Sequence, residues 1–176
     1  DVVAEGDAVP LARALGLALG GHVREHPRFL TASVEAPAGR IDLTTARSER
    51  YEAPGALPRV IPAGIAQDLA RRDFTVNAMA VELTSGAFGL LDPFGGRLDV
   101  GRGRLRVLHP LSFVEDPTRI FRAARYGARL GFVEDAWTTK VRALALSLAP
   151  YPELSGQRIA AELALIAGEA RADVAL

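Results

Sequence analysis

Eight arginines lie between Arg97 and Arg129, at positions 97, 102, 104, 106, 119, 122, 125 and 129. Only three acids, Asp99, Glu115 and Asp116, share the window, so it carries a net charge of +5. Arg119, Arg122, Arg125 and Arg129 recur at helical spacing on one side of a wheel, with Ile120, Phe121, Ala124, Gly127 and Ala128 on the other. Like charges at i,i+3 or i,i+4 repel by about 0.2–0.5 kcal/mol per pair. A helix that repeats them is either a solvated face or an anion site, and phosphate is the ligand that several guanidinium forks suit. Asp116 precedes Arg119 by three residues, which sets the two heads side by side on a helix. Two roles fit Asp116. With Pro117 behind it, it makes a good N-cap followed by an N1 proline. Alternatively, carboxylate and guanidinium together form a template for a base edge. Cytosine and adenine both offer an amino group beside a ring acceptor. Uracil and guanine would leave buried polar groups unpaired on such a template.

The scaffold that holds these residues can be read from composition and pattern. The 176 residues hold 21 basic and 21 acidic side chains, three His and no Cys. The missing Cys excludes a disulfide scaffold, a zinc finger and a thiol nucleophile. Hydrophobic residues at 49% exclude wholesale disorder. No apolar run approaches the ~18 residues of a membrane span, and no basic signal region opens the chain, so no membrane partner and a cytoplasmic location are expected. All basic residues but Lys140 are Arg.

Asp1–Ala4 reads as the tail of a buried strand, which points to an N-terminal truncation. Ala8–Leu19 reads as a helix capped by Asp7, with Pro10 in its first turn and Gly20-Gly21 at its end. Strands are expected at His22–Glu25, Phe29–Glu35 and Arg40–Thr45, with a hairpin turn at 36–39. Residues 47–64, rich in Gly, Pro and Arg, read as an exposed loop. Ile65–Arg72 reads as a helix, and Asn77–Glu82 is open between helix and strand. Turns are expected at Thr84-Ser85-Gly86 and Asp92-Pro93-Phe94-Gly95-Gly96. Helical patterns cover 116–130, 135–149 and 155–168. Met79 and Trp137 are expected in the core, and the three His carry no metal-ligand spacing.

Several motifs are recognisable in order. Arg71-Arg72-Asp73-Phe74-Thr75-Val76-Asn77-Ala78-Met79-Ala80 resembles the RRDFTxNAxA signature of bacterial-type (class II) tRNA nucleotidyltransferases and bacterial poly(A) polymerases. Glu115-Asp116-Pro117-Thr118-Arg119 matches the EDxxR nucleobase motif of that family, and Arg122 and Arg125 continue its pattern. Asp92–Gly96 with Leu98-Asp99 matches the linker between them. Gln157-Arg158-Ile159 with Glu162 is similar to its RIxxE motif. Arg40–Arg47 resembles its second head motif, and Asp1–Ala8 resembles the segment directly after the metal-binding DxD. The resemblance covers nearly the whole chain.

The resemblance implies an α+β chain, a truncated polymerase-β-like nucleotidyltransferase head of mixed sheet and helices followed by an all-helical neck. Residues 1–75 would be the head, 76–112 a linker and 113–176 the neck that binds nucleotide and RNA. It implies transfer of CMP or AMP from CTP or ATP to the tRNA 3′ end, without a template, with Mg²⁺ as cofactor. By position, Asp1 falls on the second Asp of the DxD as catalytic residue and metal ligand. Asp42 falls on a strand that could add a further catalytic carboxylate. Arg72, Asp116, Arg119, Arg122 and Arg125 align with nucleotide-binding residues. Asp99 and Glu162 are read as structural partners for Arg. Asp42 also admits a plain pairing with Arg40 or Arg47, and Arg71 and Arg72 a role at a helix end.

The first Asp of the DxD, the Gly-Gly phosphate loop and the body and tail of the family are absent, so the chain is expected to be a fragment with half a metal site, inactive alone. Poly(A) polymerase is the alternative enzyme, and an inactive nucleotide- or RNA-binding module the alternative of another class. The stretch 47–64 lies where CCA- and A-adding members keep a mobile loop, which leans away from a CC-only activity. Oligomeric state is not legible in the sequence.

Overall fold

A computed structural model describes residues 1–84, 86 and 88–175, the side chain of Arg28 excepted. Ser85, the centre of one expected turn, lies outside the described residues. The chain forms two compact units, Asp1–Arg50 with Val60–Arg71, and Tyr51–Arg59 with Arg72–Leu176. The architecture is α+β, with a mixed sheet in the first unit and mainly helices in the second.

In the first unit the strands are β1 (Val2–Ala4), β2 (His22–His26), β3 (Thr31–Ala36) and β4 (Gly39–Thr45). They form one sheet in the order β1-β4-β3-β2. β1 runs parallel to β4, and the other neighbours are antiparallel. Between β1 and β2 the helix α1 (Ala8–Ala18) starts where Asp7 accepts a hydrogen bond from the Val9 amide at 2.9 Å. Its small residues Ala8 and Ala12 close on Ala32, Val34 and Leu43 of the sheet, which gives this unit its core. Pro37-Ala38 is a two-residue hairpin loop, closed by Gly39 at φ +129°. That value is open to glycine and strained for other residues.

The stretch expected as an exposed loop holds more order than its composition suggests. β5 (Arg47–Arg50) and β6 (Arg59–Pro62) pair as a two-stranded sheet. Arg47-Ser48-Glu49-Arg50 has no apolar alternation, so the pairing is invisible to a periodicity test. It is fixed by polar contacts: the Arg47 amide donates to Asp68 at 3.2 Å, and Arg71 clasps both Asp68 and Glu49. Asp68 and Arg71 frame α2 (Ile65–Ala70), which ends before the expected Arg72.

In the second unit β7 (Ala80–Val81) and β8 (Leu90–Leu91) pair antiparallel, which settles the ambiguous 77–82 segment as a 3₁₀ turn at Thr75–Asn77 followed by a strand. Next come α3 (Gly96–Gly101) and β9 (Arg104–Leu105). Then follow α4 (Ser112–Glu115) and α5 (Thr118–Leu130). β10 (Val133–Glu134) runs parallel to β9. The chain continues through α6 (Ala136–Ser147), α7 (Gly156–Ala167) and α8 (Ala172–Ala175). Phe74, Leu105, Val107, Phe113, Ala123, Val141 and Ala145 form the core. Phe74 sits at its centre, edge-on to Tyr126 at 5.9 Å and tilted against Phe113 at 6.3 Å. Trp137 is not in the core: it is 49% exposed. α6 buries Thr138, Val141 and Ala145, a stripe at i, i+3 and i+7 that leaves 137 to one side. Among the described residues no helix is long and apolar enough to cross a membrane.

Two features of this unit bear on stability. Gly96 is buried, and a Cβ there would collide with the Thr75 carbonyl oxygen and come within 2.9 Å of Met79 Cγ. Backbone cannot yield as a side chain can, so Gly96→Ala should cost about 1–3 kcal/mol. Chemical denaturation reads this, and an unshifted midpoint would contradict the close approach. The second concerns His109. Burial pushes its pKa below the ordinary value, Arg119 acts the same way, and Glu115, 3.5 Å away, opposes them. The unfolded chain therefore binds the proton more readily than the folded one. The stability this confers is present above the ordinary His value near 6.5 and is lost as pH falls below it. Denaturation between pH 7 and pH 5 should show a shallower pH dependence for His109→Gln than for wild type. Equal slopes would refute the assignment.

Candidate functional site

The arginine face of α5 is not a solvated face. Arg119 and Arg125 are only 5% and 6% exposed. Each arginine of the row has a partner from another segment. Arg119 donates from Nη1 to the Ser112 hydroxyl at 2.8 Å. Arg122 grips Asp73 Oδ2 through Nε at 2.7 Å and Nη2 at 2.6 Å, and Nη2 also reaches Tyr126 Oη. Arg125 Nε stands 3.3 Å from Glu162 Oε2, with its guanidinium over the Tyr126 ring. Arg129 pairs with Glu169. The repulsion expected within the row is thus offset by Asp73, Glu162 and Glu169. Burial is the largest influence on Arg122 and works against its charge. Asp73, Tyr126 and Glu162 outweigh it and leave the pKa above its ordinary value.

Asp73 divides its two oxygens. Oδ1 accepts from the Phe74 amide at 2.8 Å and from Asn77 Nδ2 at 2.9 Å, which shapes the turn carrying Phe74 inward. Oδ2 serves Arg122. Arg72, half-buried, precedes it directly. Thr75 and Arg106 both donate to the buried Asp99, so Asp99 is a structural partner for Arg, as is Glu162.

Asp116 sits between α4 and α5, and both roles foreseen for it bear on its geometry. Oδ1 accepts from the Thr118 amide at 3.0 Å and from the Thr118 hydroxyl at 2.6 Å, which is a helix cap. The same oxygen accepts from Arg158 Nη2 at 2.8 Å. All three contacts fall on Oδ1, and Oδ2 takes no hydrogen bond among the described residues. Arg158, on α7, donates its other terminal nitrogen to the Gly55 carbonyl at 2.6 Å, and the Gly55 amide donates to the Glu115 carbonyl. Segment 51–59 is therefore fastened to the Glu115-Asp116 pair. Gly55 lies at φ +80°, and a Cβ there would come within 3.2 Å of the Tyr151 and Leu154 Cβ atoms.

The remaining candidates belong to the first unit. β1 and β4 run parallel with Val2 opposite Leu43, so the ladder extended by one residue sets Asp1 beside Asp42. Asp42 Oδ1 accepts from Ser33 and Arg40, confirming the plain pairing with Arg40. The Ser33 hydrogen bond, then that of Arg40, hold the Asp42 pKa below the usual carboxylate range against the effect of burial. An anionic carboxylate with its Oδ2 not hydrogen-bonded among the described residues, beside a second carboxylate, is a donor set that a hard divalent cation takes. Among the described residues no three His, Asp or Glu gather on one point.

Ser112, Asp73 and the Arg158–Asp116 pair were not singled out from sequence as site residues. Asp73 lay inside a recognised motif, where its acidity beside two arginines was a signal. Ser112 left none, because a buried serine in an apolar run looks like any small core residue.

Comparison with known proteins finds both sequence relatives and solved structures of the same fold. The A-adding tRNA nucleotidyltransferase of Geobacter sulfurreducens is 43% identical over 171 residues, covering 96% of this chain and 19% of that protein. A solved CCA-adding enzyme in an apo form superposes with a TM-score of 0.91 at 42% identity, over 98% of this chain and 41% of that one. A tRNA nucleotidyltransferase complexed with a primer tRNA and an incoming ATP analog gives 0.85 at 37% identity, over 98% and 48%. The chain thus spans less than half the length of these proteins. The poly A polymerase head domain matches residues 1–106, and this chain belongs to that family.

Proposed function

We propose that the full-length protein transfers CMP or AMP from CTP or ATP to the 3′ end of tRNA without a nucleic-acid template. The observation that carries this is the half-used carboxylate of Asp116. Oδ1 is committed to the cap and to Arg158, and Oδ2 is left to accept from the exocyclic amino group that cytosine and adenine share. Arg119, held by Ser112, supplies N–H donors to the adjacent ring acceptor. Arg122, clasped by Asp73 with its Nη1 3.8 Å from Glu162, would hold sugar and phosphate regardless of base together with Arg72 and Arg125. The likeness to A-adding and CCA-adding enzymes supports the same reaction.

In the first unit Asp1 and Asp42 would hold Mg²⁺, which when bound supplies charge neutralisation on the transferring phosphoryl group. Ser33 and Arg40 orient Asp42 and keep it ionised for that task.

Two measurements on the full-length protein test the proposal. Asp116→Asn retains an oxygen for the cap and puts an amide donor in place of Oδ2. Its discrimination against UTP should fall by about 1–3 kcal/mol, or roughly 10- to 100-fold. An unchanged ranking of C and A over U and G, in steady-state kinetics with all four nucleotides, would leave Asp116 as a cap only. Asp42→Asn keeps the Ser33 contact and should lower transfer at least about a hundredfold while tRNA affinity stays at the wild-type value. Near-normal transfer by that variant would remove Asp42 from the chemistry.

A further inference from the structure

In the second unit Arg106, Arg122, Arg125, Arg129, Arg142 and Arg158 are matched to carboxylates, but one group is not. Arg97, in the first turn of α3, and Arg102, at its end, have side chains with no ion pair or hydrogen bond among the described residues. Both are exposed. They line one open hollow of about 450 Å³ with Asp92, Leu98 and Gly101. Asp92 makes no ion pair with either arginine: its two oxygens accept from the Gly96 amide at 2.6 Å and the Arg97 amide at 3.0 Å, and its single charge leaves the pair of guanidiniums in excess. Arg104, two residues beyond on β9, is likewise without a side-chain partner among the described residues. The one other acid of the stretch, Asp99, is spent on Arg106 and Thr75.

Among the described residues no contact uses these charges. The turn before α3 is held by Asp92 and by the close seat of Gly96, and neither involves the Arg97 or Arg102 guanidinium. The hollow is too open to enclose a small molecule, which needs most of its surface buried. Two guanidiniums beside an exposed Leu98 suit a ribose-phosphate backbone, where arginine contacts phosphate and the aliphatic surface lies along the sugar.

We propose that Arg97 and Arg102 form a phosphate-contacting surface for the RNA substrate, apart from the residues that read the nucleotide. This rests on the tRNA reading above. The surface acts on affinity and is indifferent to sequence.

The test is the double variant Arg97→Gln/Arg102→Gln of the full-length protein, with tRNA lacking its terminal adenosine as probe. Both positions are exposed, so the fold should be unaffected. Tightness of tRNA binding is measured from 50 to 200 mM salt. The slope of log affinity against log salt should become shallower by about 2, or about 1 per arginine. The loss should be equal for tRNAs of different sequence, with the KM for CTP and ATP unchanged. An unchanged salt slope overturns the proposal. A raised nucleotide KM with unaltered tRNA binding also overturns it, and would make the hollow a nucleotide subsite. A wild-type protein that neither binds nor extends tRNA would instead refute the tRNA reading, whatever the variant does.

Discussion

The pairing of Asp73 with Arg122 ties the second unit together. A buried carboxylate is tolerated only when its charge is matched and its lone pairs are used. Asp73 meets that demand with three partners, the Phe74 amide and Asn77 on one oxygen and Arg122 on the other. One side shapes the turn that sends Phe74 into the core, and the other fixes α5 through Arg122. A single residue thus sets the inward course of the motif segment and the placement of the arginine row.

The rest of α5 obeys the same logic. Its arginines are brought near neutrality by acids from three separate segments, so the helix is locked in rotation as well as position. Partly buried pairs of this kind add little net stability, because the cost of desolvating both charges offsets their attraction. Asp116 stands apart. It caps and it pairs, yet both tasks use one oxygen. Its Oδ2 remains without a hydrogen bond among the described residues.

Much of the fold was legible in the sequence because its signals are local. The Asp7 cap, the 36–39 turn and the three long helices all rest on residues within a few positions of one another. The β5–β6 pairing was not legible, since Arg47–Arg50 is held by Asp68 and Arg71 some twenty residues away. Trp137 was misplaced because bulk alone says nothing about which stripe of α6 is buried. For the candidate site, the residue types and the motif order pointed to Asp116 and the arginines. What pattern could not convey was their occupancy: the row faces carboxylates, Arg119 is gripped by a serine, and Arg158 belongs to the Asp116 pair.

Segment 51–59 is fastened to Glu115 and Arg158 while the residues on either side of it belong to the first unit. The chain therefore passes from one unit to the other three times, and no single peptide bond divides them. A recombination event at any one of these crossings would leave the first unit without residues 60–71, the second without its 51–59 excursion, or both. Only exchanges that carry both pieces would yield workable chimaeras. Each unit has its own core, yet neither is encoded by one uninterrupted stretch of sequence.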